Sequence, residues 1–283
     1  MRADEIADKL GGRPTKRGWL CHCPVPDHGK GFGDQDPSLE VYEANGVLHL
    51  ECHAQCPEFK ILDAIGIAQP SSARGGTNRL SDEQRQAYAR RVWYEGSAIA
   101  GTLAEKYLKV VRGFKQIPPE VAAVVRWHPY LWLDNTPHQA LLTCFVDFIT
   151  NEVICVQRTF LNDDGTKIER RALGTQRNAV LKLGTSEEVR NTKTLYVGEG
   201  FETCAAAFVL GKRPVWALGN AKAVEWWPVI KEVDTLVVLR ENDSVGEKAS
   251  DQCGNRWRRA GKQVRCWVSP IGKDWADYIR AQP

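Results

Sequence analysis

No stretch of this 283-residue chain holds the roughly 18 uninterrupted apolar residues that a membrane-spanning helix requires. The first twenty residues mix Arg2, Asp4, Glu5, Asp8, Lys9 and Arg13 with few apolar ones, so a secretory signal is not expected either. A large excess of one charge is missing too. The 38 Lys and Arg against 35 Asp and Glu leave a formal net charge of +3, so any affinity for nucleic acid must come from local basic patches, not a global field. There is no internal repeat, no low-complexity tract and no GxxxxGK(S/T) run. GGTNRL lacks that pattern and its strand-to-helix context, which excludes an ATP-driven helicase of the phosphate-loop type. A disulfide framework is also not indicated. Nine cysteines, an odd number, in a chain without an export signal fit the reducing cytoplasm, where clustered cysteines serve as metal ligands.

The 43% hydrophobic and 26% charged fractions are those of a folded globular protein. At roughly 100–200 residues per domain the length suits two domains with a small appended module. Pro70 to Ser81, reading PSSARGGTNRLS, has almost nothing apolar to bury and is read as a linker over 70–81. It separates a Cys/His-rich module over 1–69 from a middle α+β region over 82–192, and a last domain occupies 193–283. Ser81, Asp82 and Glu83 start a helix that runs through Trp93, and a second helix covers Gly101 to Val111. From Leu141 to Phe160, β-branched and aromatic runs flank Thr150-Asn151-Glu152 and predict a hairpin. From Thr194 onward TLYVG, PVWAL, TLVVL and QVRCWV read as strands alternating with helical FETCAAAFVLG and VGEKASDQCGNRWRRAG. That alternation implies βαβ units and a Rossmann-like, mainly parallel sheet, so the fold class is α/β here and α+β overall. In the long helix Val245, Ala249, Cys253 and Trp257 fall every four residues and predict a buried stripe.

In the first module Cys23 and His28 form one close pair, in CPVPDH, and Cys52 and Cys56 another, in CHAQC. Two pairs on tight turns, joined by a stretch able to form a hairpin, suit tetrahedral zinc. The module needs such a staple, because Leu39, Val41, Val47, Leu48 and Leu50 are thin apolar content for a small unit. Cys21, His22 and His53 are competing ligands.

Glu199 sits in YVGEGFET at the carboxyl end of one predicted strand, and Glu241 and Asp243 sit in VVLRENDSVGEKA at the end of another. Ligands of open parallel sheets bind beyond the carboxyl ends of the strands, so these carboxylates should converge. Three convergent carboxylates suit a magnesium or manganese ion that handles phosphates. Gly200 and Gly246 are expected to let the following helices begin close to the site. Asp274 and Asp277 in KDWADYI are possible further acidic groups. Between Thr166 and Lys182 the basic residues Lys167, Arg170, Arg171, Arg177 and Lys182 face the single acid Glu169. With Arg158 they read as a basic loop leading into the acidic domain, able to hold triphosphate and nucleic-acid backbone.

The Cys-His pair before Pro37-Ser38, followed by a Cys-Cys pair spaced by three residues, resembles the zinc-ribbon module of phage, plasmid and bacterial DnaG-type primases. Glu199-Gly200, then an acidic pair followed closely by Gly246, resembles the Toprim domain shared by primases, topoisomerases and some nucleases. One departure is that Glu241 stands where that family has Asp, a longer carboxylate that shifts the metal. The order of strand, Arg-x-Phe-Leu, Asp-Gly-x-Lys, basic stretch and Glu-Gly resembles mobile-element primases, as does GTLAEKYL followed by Arg112. The resemblance implies a primase that makes short RNA primers on single-stranded DNA from nucleoside triphosphates. Glu199, Glu241 and Asp243 would be catalytic, zinc structural, and unwinding left to a separate replicative helicase. A ribbon-Toprim protein that binds DNA without turnover and a Toprim nuclease are the other readings.

Overall fold

The computed structural model describes residues 2–26, 28, 34–44, 47–54, 56, 58–65, 81–134 and 136–282; residues 70–80 of the expected linker lie outside them. The chain divides into two compact units, 1–81 and 82–283.

In the first unit helix α1 (Ala3–Lys9) carries Asp4 and Glu5 in its first turn, where the helix dipole favours them, and the Glu5 carboxylate accepts from Arg2 N at 2.8 Å. Strands β1 (Arg13–Pro14), β2 (Trp19–Cys21), β3 (Leu39–Ala44) and β4 (Val47–Cys52) form an antiparallel sheet in chain order, followed by helix α2 (Glu58–Ala64). Leu39, Val41 and Leu50 are buried and Leu48 partly so, while the Val47 side chain lies outside the described residues. Two helices supply what the strand pattern left out. Ala3, Ile6 and Ala7 of α1 and Ile61 of α2 join the same core, so the ribbon is not bare.

The second unit begins with α3 (Asp82–Glu95) and α4 (Leu103–Lys106), the latter running into a π turn over Tyr107–Val111. After α5 (Pro119–Ala123) come the antiparallel strands β5 (Val125–Leu133), β6 (Thr136–Asp147), β7 (Val153–Leu161), β8 (Lys167–Gly174) and β9 (Ala179–Leu183), then α6 (Ser186–Thr192). The alternating part follows as β10 (Thr194–Gly198), α7 (Phe201–Val209), β11 (Val215–Ala217), α8 (Ala221–Glu225), β12 (Thr235–Arg240), α9 (Ser244–Arg259), β13 (Gln263–Val268) and α10 (Trp275–Arg280). Strands β13, β12, β10 and β11 are parallel, as the alternation implies. The sheet does not stop there. β11 pairs antiparallel with β9, and β9 with β6, so one nine-stranded sheet runs through the whole unit and no gap marks the 192/193 boundary.

Alternation sorts the side chains of that sheet onto two faces. Leu141, Phe145, Cys155, Leu181 and Leu239 pack with α7, α10 and the α4 region on one face. On the other, Leu142, Val156 and Phe160 pack against α3, and Val180, Val197 and Val238 against α8 and α9. Two expectations are corrected at this level. The stretch from Lys167 to Lys182 is not a loop, because it forms β8 and β9. Val245 is not part of the buried stripe of α9. It is 60% exposed, since the helical repeat of 3.6 drifts against a strict spacing of four, and Gly246 starts the buried side that continues through Ala249, Ser250, Cys253 and Trp257. Replacing Trp257 by Ala should therefore cost about 3–5 kcal/mol, and Val245→Ser should stay within about 0.5 kcal/mol of the parent, as read by denaturant unfolding.

Candidate functional site

In the ribbon, the sulfurs of Cys23, Cys52 and Cys56 and a ring nitrogen of His28 lie within 4.8 Å of one another. His28 Nδ1 faces Cys56 Sγ at 3.2 Å and Cys52 Sγ at 3.5 Å, while Nε2 faces Asp34 Oδ1 at 3.3 Å. Three soft donors and one imidazole, with a carboxylate behind the imidazole, make a set suited to zinc. Burial, with the Cys52 and Cys56 thiols close by, pushes the Cys23 thiol far up, a cost that a bound cation removes. The competing ligands are engaged elsewhere. Cys21 lies in the apolar core, which raises its thiol to about 11; His22 Nδ1 meets the Asp34 carbonyl at 3.2 Å, and His53 Nε2 meets Glu40 at 3.4 Å. Asp34 carries no role in the sequence-based expectations, although it stands three residues before Pro37-Ser38. Ser38 Oγ donates to it at 2.9 Å.

The second site is built by two neighbouring parallel strands. β10 ends at Gly198 opposite Leu239 of β12, so Glu199 and Glu241 leave the sheet at the same edge. They line one cleft with Leu239, Arg240, Gly246 and Ser250. Asp243 caps α9, its Oδ1 accepting from Gly246 N at 2.7 Å. Glycine is required at 246, because a Cβ there would come within 2.8 Å of the Glu241 carbonyl. It is not required at 200, where a Cβ would find Arg170 Nη1 no closer than 3.7 Å; the expectation of steric need there is corrected.

Burial, followed by the Glu241 charge and then that of Asp243, lifts the Glu199 carboxyl above the usual range, against the opposing pull of Lys273 and Arg170. Asp243 is held below it by the Gly246 amide and then by Lys273. Lys273 Nζ bridges Glu241 Oε2 at 3.0 Å and Asp243 Oδ2 at 2.9 Å. Among the described residues the Cys/His set alone closes to metal-holding spacing; Glu199 and Glu241 line the cleft, and Asp243 joins Glu241 through one ammonium. Their all-oxygen donor set fits a hard divalent cation. Asp274 and Asp277 are not grouped with them. Asp274 caps α10 and accepts from Arg112 Nη2 at 3.1 Å, and Asp277 accepts from Lys273 N at 2.9 Å.

The structure separates Arg158, Lys167, Arg170, Arg171 and Lys182, while Arg177 lies in the exposed turn between β8 and β9. Arg170, opposite Thr159, lies on the face shared with α7 and hydrogen-bonds Glu202 there. Arg171 sits one residue on, on the α3 face, with bonds to Asp134 and Glu169. Arg158 pairs with it in register and lies over Phe160, 5.5 Å from the ring centroid. Lys182 donates to the Phe148 carbonyl at 3.1 Å and Asn151 Oδ1 at 2.6 Å, 4.7 Å from the Trp216 ring centroid. Lys167 is exposed. Arg170 is thus the member whose charge reaches Glu199.

A family model described as a Toprim domain matches the segment that carries this cleft, residues 194–282. Residues 194–282 are a Toprim domain. A second model, described as a domain of unknown function (DUF7146), matches residues 83–188. No curated protein sequence matches the chain. Among solved structures, the zinc-binding and RNA polymerase domains of the Aquifex aeolicus primase are similar at 16% identity and a TM-score of 0.52, over 98% of this chain and 79% of that one. The RNA polymerase domain of Mycobacterium tuberculosis primase DnaG gives 14% and 0.49, over 70% and 79%. The primase fragment of the bacteriophage T7 primase-helicase protein gives 17% and 0.41, over 90% and 92%. The fold is therefore similar to that of the zinc-binding and RNA polymerase domains of the Aquifex aeolicus primase.

Lys273, Tyr107 and Glu202 lie at or beside the Toprim cleft and carry no role in the sequence-based expectations. Lys273 precedes Asp274 in the KDWADYI run, and Tyr107 lies in the GTLAEKYL run, so both were in view as motifs. For the ribbon, purified protein should carry about one zinc per chain, and Cys52→Ser or Cys56→Ser should lose it. Asp34→Asn should weaken zinc binding by about 10–100-fold, measured by competition with a chromophoric chelator.

Proposed function

We propose that the chain is a DNA primase that synthesises short RNA primers on single-stranded DNA, in phage or mobile-element replication, with unwinding supplied by a separate helicase. What carries this reading is the pairing, in one chain, of a Cys3His ribbon with a Toprim cleft on a fold similar to primase zinc-binding and polymerase domains. The reaction joins a 3′-hydroxyl oxygen to an α-phosphorus and breaks the bond to pyrophosphate. Glu199, Glu241 and Asp243 would hold magnesium or manganese, which supplies charge neutralisation to the triphosphate and the departing pyrophosphate.

The protein's own groups chiefly position and neutralise. Arg170 and Lys273 bring positive charge to the cleft, the first from the middle region and the second from the Toprim domain. Exposed Lys167, on the same strand as Arg170, would meet a nucleic-acid backbone. The ribbon, held by Cys23, His28, Cys52 and Cys56, presents a sheet for unpaired bases. Arg158, Arg171 and Lys182 already have partners on the opposite face, so their part in nucleotide binding is the weaker element of the proposal. A second reading, DNA binding without turnover, is favoured by Glu241 in place of Asp and by the Lys273 bridge.

Glu199→Gln and Asp243→Asn should keep the thermal midpoint near the parent, because both lie at strand ends and Asn caps a helix as well as Asp. Both should abolish primer synthesis on single-stranded DNA with labelled nucleotides. Glu241→Asp should stay within about tenfold of the parent rate, about 1.4 kcal/mol in the barrier. A parent that makes no primer while Glu241→Asp does would establish the second reading instead.

A further inference from the structure

Glu202 lies in the first turn of the Toprim domain's first helix, three residues beyond Glu199, and its side chain is 5% exposed. A carboxylate so deeply buried needs compensation. Its Oε1 accepts from the Tyr107 hydroxyl at 2.8 Å and from Arg170 Nη2, and Arg112 adds a second nearby positive charge. Burial opposes ionisation, but Arg170 and Arg112 together outweigh it and keep the carboxyl below its usual range. Arg112 is in turn tied to Asp274 at 3.1 Å. Two segments distant in sequence therefore converge on one carboxylate, and a third reaches it through Arg112.

The local geometry on the middle-region side is unusual. Over Tyr107–Val111 the helix widens to a π turn, with Arg112 N donating to the Tyr107 carbonyl at 2.9 Å. The i to i+5 bond brings residues five apart toward one partner, and such turns concentrate at functional sites. On the strand side, Arg170 keeps 28% of its side chain exposed while Nη2 is held by Glu202, and its Nη1 lies beside Gly200, next to Glu199. One nitrogen of this guanidinium is held by Glu202 and the other lies toward the backbone that carries Glu199.

We infer that Glu202 is a positioning residue: its buried carboxylate, fixed by Tyr107, aims the Arg170 guanidinium at the phosphates of the incoming nucleotide beside Glu199. The inference rests on the proposed polymerase reading in taking a polyphosphate as the ligand. A rigid, pre-aimed guanidinium binds a phosphate at less entropic cost than a free one. The residue need not touch the nucleotide, because it acts through Arg170.

The experiment compares the parent with Glu202→Gln, Arg170→Gln, the double variant and Tyr107→Phe, each first checked by thermal unfolding. Binding of inorganic tripolyphosphate is measured by calorimetry and nucleotide KM and kcat by primer synthesis. Glu202→Gln is expected to weaken tripolyphosphate binding about tenfold and raise KM by a similar factor with kcat little changed. The double variant should bind no worse than Arg170→Gln alone, because the effect passes through that side chain. Tyr107→Phe, which preserves packing, should show a smaller loss in the same direction. If Glu202→Gln lowers the midpoint while the affinity of the folded protein and the KM stay at parent values, or if its loss adds to that of Arg170→Gln, the inference is overturned. Should Glu202→Gln fail to fold, Tyr107→Phe decides: parent affinity and KM overturn the inference, and a loss absent from the Arg170→Gln background supports it. A parent that binds tripolyphosphate through Arg170 but makes no primer overturns the polymerase reading and leaves this one standing.

Discussion

Like charges gathered at the end of one sheet repel, and much of the second unit is arranged around that fact. Glu199, Glu241 and Asp243 leave adjacent strands at the same edge, and Glu199 is partly withdrawn from water. Repulsion of this kind is answered either by a cation or by protonation. The protein answers it in part with its own cations: Lys273 between Glu241 and Asp243, and Arg170 within reach of Glu199. Each of these is held from behind. The Lys273 backbone amide is bound by Asp277, and Arg170 is bound by Glu202. The acidic cleft is thus the inner part of a larger alternation of charge that extends into the middle region through Tyr107 and Arg112.

The ribbon solves a different problem. Its sheet strands are short and its apolar core small, even with α1 and α2 packed on it. A metal held by the two pairs of ligands would tie Cys23 and His28 to the end of β4, which the core alone holds weakly. Asp34 fixes the imidazole from behind, so the ligand set is oriented by the fold and not by a metal alone.

How far the sequence could be read follows from which features are local. The Cys/His cluster was legible because it sits in short motifs with metal-ligand spacing, and the parallel strands because helices alternate with them. The basic stretch was not, because the face on which Arg170 or Arg171 lies depends on strand register, and β7 and β8 shift register between Phe160 and Leu161. The pairing of β9 with β11 links segments about thirty residues apart through hydrogen bonds that leave no pattern in composition. Val245 failed for a simpler reason, since a spacing of four drifts around a helix. Glu202 looked like one more acidic residue at a helix start, and its burial becomes visible once Tyr107 and Arg170 are folded over it.

The β9–β11 seam bears on how the cleft can move. Lobes that open and close about a hinge are usually joined by a few loop residues, but here the two halves of the unit share an unbroken ladder from β8 to β13. Opening them like jaws would tear backbone hydrogen bonds out of the middle of a sheet covered on both faces. The floor of the cleft is therefore stiff, and any adjustment to cargo has to come from side chains and from the segments at the strand ends.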